Sequence, residues 1–93
     1  MPPQTPNDPH ALALAALAAT LSDERRARRF LNLTGIGTEE LRRRADEPAL
    51  LAALIGFLEA HEPDLISVSE AVGVEPASLT AAGRQLEQDR EGR

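Results

Sequence analysis

The chain contains no cysteine, lysine, tryptophan or tyrosine, and its only aromatic residues are Phe30 and Phe57. Without cysteine there is no disulfide, no thiolate metal ligand and no thiol nucleophile. Without aromatic bulk, the core must be assembled from Leu, Ala, Ile and Val, which supply most of the 42% hydrophobic content. That composition favours helices brought close together through small residues. Long apolar runs are missing too. The longest, Pro48 to Leu58, falls short of the ~18 to 20 residues a membrane span needs. The opening "MPPQTPNDPH" carries no basic residue, whereas a secretory signal begins with positive charge, so a cytoplasmic location is expected.

A length of 93 residues suits one domain, because a second would lack the apolar surface to close its own core. The net charge of -5 opposes general attachment to nucleic acid or acidic membranes. All ten basic residues are arginine, a bias that genome composition explains as readily as guanidinium chemistry does.

Residues 1–7, with three prolines and no apolar period, read as a disordered lead. The helical domain is expected over 8–88 and a flexible tail over 89–93. Asp8 followed by Pro9 is a helix start, opening a first helix over about 9–21 with Leu14, Leu17 and Leu21 as its apolar stripe. Ser22 is read as the next N-cap, with Asp23 and Glu24 in the first turn. This second helix places Ala27, Phe30, Leu31 and Thr34 on one side and Arg25, Arg28 and Arg29 on the other. Gly35 suits its left-handed end, covered by Ile36.

Thr38 is read as the cap of a short third helix with Leu41 and Ala45 inward and Arg42, Arg43 and Arg44 toward water. Pro48 opens "PALLAALIGFLEAH", apolar on nearly all sides and therefore expected to be central and buried, over about 48–61. Pro63 interrupts it, Asp64 is read as starting a fifth helix that ends at Gly73, and a sixth begins at Pro76. The pattern predicts an all-α fold: a compact bundle of five or six short helices around the central apolar one.

"SVSEAVGVEPASLTAAGRQLE", residues 67–87, has the look of a helix-turn-helix corner. Its second helix offers Ser78, Thr80, Arg84, Gln85 and Gln88 to a groove, but base reading also needs phosphate neutralisation. From His61 to Arg93 three arginines face seven acids, a local balance of -4, so nucleic-acid binding here is only the alternative reading. Seven of the other basic residues sit in the second and third helices. Six of them, Arg25, Arg28, Arg29, Arg42, Arg43 and Arg44, form a candidate patch for an acidic partner protein. The plainer account of those arginines is a solvated face offset by Asp23, Glu24, Glu39, Glu40, Asp46 and Glu47.

"TGIGTEE" leads into a helix, but two glutamates occupy the end a phosphate would need and no strand precedes it. His61 lies beside Glu59 and Glu62 without the convergent third ligand of a metal site. Ser67, Ser69 and Thr80 would need a base and an orienting acid to act as nucleophiles, and each is explained instead by capping or a solvent-facing helix position. No enzymatic activity, metal or cofactor is expected, and a non-enzymatic interaction or regulatory module is the favoured reading. Self-association through the Leu and Ala faces of the first and fourth helices, as a homodimer, is a further reading.

Taken in order, "ALALAALA", "RRFLNLTGIGTEELRRRADEPALLAALIGFLEAHEPDLI" and "AVGVEPASL" make the chain resemble a family of small alphaproteobacterial proteins of unknown function, DUF3572, over about residues 8–82. The resemblance implies a compact helical fold and a bacterial cytoplasmic setting, and carries over no activity and no functional residues.

Overall fold

The computed structural model describes residues 8–91, with side chains to Asp89. They form six α-helices: α1 (Pro9–Leu21), α2 (Glu24–Thr34), α3 (Thr38–Arg44), α4 (Pro48–Glu59), α5 (Glu62–Val72) and α6 (Pro76–Glu91). The lead proposed for 1–7 lies outside the described residues, as do 92 and 93 of the proposed tail. α6 runs through Asp89 to Glu91, three residues into the segment read as tail, and Gln85 donates to Asp89 one turn on at 3.3 Å.

The helix ends follow local chemistry. Asp8 Oδ1 accepts from the backbone N–H groups of His10 and Ala11 at 3.1 and 3.4 Å, satisfying donors that have no partner inside the helix. The cap of α2 is Asp23 rather than Ser22: its carboxylate accepts from the Arg26 N–H at 3.0 Å. Ser22 instead closes α1, its hydroxyl donating to the Ala19 carbonyl at 2.7 Å. Thr38 is the first residue of α3, and the preceding Gly37 supplies no side-chain cap. Gly35 and Gly73 end α2 and α5 at φ 73° and 89°, left-handed backbone that glycine adopts without a Cβ penalty.

α4 is the axis. All of it except Pro48, Ala49, Ala53, Gly56 and Glu59 is buried. It stops at Glu59, two residues short of the predicted end, because His61 is extended and begins α5, with Pro63 in the first turn. α6 packs chiefly on α4 and α1, while α1 also meets α4 and α5. These four helices surround Leu50, Leu51, Leu54, Ile55 and Leu58 with Leu12, Ala13, Ala16 and Leu17 of α1, Val68 of α5 and Leu79, Ala82 and Leu86 of α6.

The buried face of α1 is Leu12, Ala13, Ala16, Leu17 and Thr20, not the expected 14–17–21 stripe. Fully buried Ala13 and Ala16 allow the close approach that turns this face inward. The fit is tightest at Gly83, where a Cβ would stand 2.8 Å from Ile55 Cγ2.

α2 and α3 lie outside this group of four. Each sends one side chain fully inward, Phe30 and Leu41. Phe30 meets Phe57 of α4 edge-on, centroids 5.3 Å apart and planes at 64°, an arrangement that places the positive ring edge on the negative face.

Candidate functional site

The structure divides the arginine patch. Arg29 stays half in water but is not free: it pairs with Asp64 Oδ2 and lays its guanidinium 5.4 Å from the Phe57 ring centroid, within cation–π range. Arg26, left out of the patch, is the most enclosed of these arginines, and its Nε donates to Asp64 Oδ1 at 3.0 Å. Asp64 is not the start of α5 but its third residue, 5% exposed.

Helical spacing explains that burial, since Asp64 precedes Val68 by one turn and shares the face of Leu65 and Val72. Burial pushes its carboxyl pKa up, but hydrogen bonds and charge from Arg26 and Arg29 outweigh it and hold the group below the ordinary value. An acid on an apolar face was the sequence signal for this site. Its counterpart was Arg26 and Arg29, spaced to flank Phe30 on α2.

Arg44 is also engaged, bonding Glu47 at 2.8 Å and Glu40 at 3.0 Å and so joining the end of α3 to the start of α4. Those bonds, Glu47's foremost, raise its already high pKa. Arg28 and Arg42 stay exposed, in loose pairs with Glu24 at 3.9 Å and Glu39 at 3.6 Å. Arg25 and Arg43 are exposed. The patch thus reduces to a few outward guanidiniums, largely offset by acids on their own helices.

What the sequence pattern did not disclose is a cleft between α1, α2 and α3, ≈ 410 Å³ in volume, lined by Leu17, Leu21, Ala27, Leu31, Thr38, Leu41, Arg42 and Ala45. Each helix contributes an i,i+4 pair: Leu17 with Leu21, Ala27 with Leu31, Leu41 with Ala45. Small Ala27 and Ala45 give the cleft its depth. Leu21, expected to be core, is 37% exposed at its edge. The lining contains one cation and no carboxylate.

The C-terminal corner is built as anticipated, with Gly73 N–H donating to the Ser69 carbonyl at 2.8 Å, and Val74 to the same oxygen at 3.0 Å. Its proposed reader residues diverge, however. Ser78 and Gln85 line a cleft against α1 with Asp89, whereas Thr80 and Arg84 line one against α4 with Glu59 and Glu87. Carboxylates accompany both sets, which disfavours phosphate approach. Among the described residues, no group of three or more His, Asp or Glu is placed to hold a metal ion, and no helix is long and apolar enough to cross a membrane.

The geometry defines a small all-α domain in which four helices support an outer pair. The chain belongs to the DUF3572 family, described as proteins of unknown function, whose model matches residues 6–89. No curated protein and no solved structure matches it.

Proposed function

We propose that this protein is a non-enzymatic interaction module of the bacterial cytoplasm, and that it engages a protein partner through the cleft between α1, α2 and α3. The observation that carries this reading is the cleft itself: apolar i,i+4 pairs from three helices converge on a surface opening of ≈ 410 Å³. Concave apolar surfaces with a few polar groups are where ligands bind.

Four of the hydroxyl side chains are engaged by backbone or enclosed. Thr20, Thr34 and Ser22 donate to backbone carbonyls at 2.8, 3.0 and 2.7 Å, and Ser69 is sealed in the core at 1% exposure. As to self-association, the large hydrophobics exposed among the described residues are Leu21 on α1, Leu33 and Ile66. None lies on α4, whose apolar face is covered within the chain.

A photo-crosslinking amino acid at Thr38, on the cleft, tests the reading against the same group at Ser67, exposed on α5. The expected result is a discrete protein adduct from Thr38 in living cells, absent from Ser67 and lost with Leu21→Glu. Identical adduct patterns from both positions would refute placement of the interface at the cleft.

A further inference from the structure

We propose that the occupant of this cleft is a short amphipathic helix of a partner protein, with leucine-like side chains on one face and acidic residues flanking them; this rests on the interaction-module reading above. The shape argument comes from the three i,i+4 pairs. Rows one helical turn long match the i, i+3/i+4 spacing of side chains that a docking helix lays into a groove. The depth over Ala27 and Ala45 admits branched aliphatic side chains.

The charge argument is complementarity. On a chain of net charge -5, this cleft has Arg42 as its only charged lining residue. The cleft against α1 and α6 includes Asp89, and that against α4 and α6 includes Glu59 and Glu87 beside Arg84. Arg28, three residues before the cleft residue Leu31, is not in the lining but is an exposed guanidinium on the same helix, within reach of the flank of a docked segment. The acids now paired with Arg28 and Arg42 are themselves exposed, 88% for Glu24 and 78% for Glu39. Exposed pairs of this kind contribute little, so an incoming carboxylate can exchange with them. A basic helix would meet both arginines as like charges and is disfavoured, its attraction limited to the exposed Glu24 and Glu39.

The test is fluorescence anisotropy of the full chain with a labelled peptide of about 15 residues, long enough to hold a helix when docked. Leucines at i, i+4 and i+7 are flanked by glutamates, and a second peptide has every glutamate replaced by lysine. The glutamate peptide is expected to bind at least about tenfold more tightly than the lysine peptide. Leu21→Glu should abolish binding, and Arg28→Glu with Arg42→Glu should reverse the preference, the lysine peptide then being favoured. Circular dichroism of each variant confirms that the helices remain.

Equal binding of both peptides, no binding of either, or an unchanged preference in the double reversal overturns the proposal. A concentration-dependent dimer that Leu21→Glu dissociates, without peptide binding, would replace the partner helix with a second copy and overturn it as well. A Thr38 adduct in cells together with no glutamate-peptide binding would leave the interaction module standing and remove the acidic helix. Absence of both would remove the two together.

Discussion

Removing the carboxylate of Asp64 should loosen the outer pair of helices before the rest of the bundle. Asp64→Ala deprives two arginines of their shared partner. Arg29, with its side chain 48% exposed, can turn to water. Arg26, 15% exposed, is left with Asp23 at 3.9 Å. Removing one member of a buried ion pair costs about 3 to 5 kcal/mol when the surviving charge stays buried. The freedom of Arg29 and the retained Asp23 place this case at the lower end, about 3 kcal/mol, or a fall in Tm of roughly 12 to 24 °C for a chain of this size.

Thermal unfolding followed by far-ultraviolet circular dichroism reads the loss. Hydrogen exchange localises it, with α2 amides accelerating more than those of α4 because local opening draws on local contacts. Arg26→Met combined with Asp64→Leu should recover most of the stability, since an apolar pair of similar volume needs no charge compensation. A Tm change no larger than that of Glu24→Ala, which removes an exposed pair, would refute the assignment of Asp64 as the clasp.

Acid stability should show the same clasp. Because the carboxyl of Asp64 lies below its ordinary value when folded, its contribution is present above about pH 4 and is lost as pH falls through the folded value. Asp64→Asn should therefore flatten the stability profile below about pH 4; a slope matching the parent chain's would count against it. Gly83→Ala should destabilise by about 1 kcal/mol, overpacking against β-branched Ile55 exceeding the helix-propensity gain. In an Ile55→Ala background the same change should become stabilising, and equal urea-midpoint shifts in the two backgrounds would deny the contact. Ser69→Ala should raise stability by about 0.5 to 1.5 kcal/mol, because the buried Ser69 hydroxyl has no hydrogen-bond partner. A loss on calorimetry would show that the hydroxyl is satisfied.

The helices were legible where one residue type dominates the local energetics. Asp8 with Pro9, glycines 35 and 73, and the all-round apolar α4 each announce an end or a burial through chemistry confined to a few neighbouring residues. Errors arose where two neighbours compete for one role. Ser22 and Asp23 both suit an N-cap, and the shorter reach of the hydroxyl to the Ala19 carbonyl leaves the α2 donors to Asp23. Asp64 after Pro63 looks like a helix start by local rule, but two arginine side chains reach it from α2, an outcome separated by 35 and 38 residues. The cleft was illegible for a related reason: its lining comes from three helices, and no one of them displays the surface as a pattern.

Filling the cleft separates a functional opening from a packing defect. The four central helices pack with leucines and fully buried alanines, whereas α2 and α3 present Ala27 and Ala45 where larger side chains would close the surface. Ala45 has φ −60° and ψ −25°, helical backbone that leucine accepts without strain. Ala45→Leu would bury added apolar surface in existing space and should stabilise by about 1 kcal/mol, raising Tm by roughly 4 to 8 °C. If the opening serves a partner, that gain accompanies loss of glutamate-peptide binding, the trade of stability for function expected where a surface is kept unfilled. Thermal unfolding and anisotropy on the same variant decide it. A lower Tm would show that Leu17, Leu31 and Leu41 leave no room, and undiminished peptide binding would place the docking surface elsewhere.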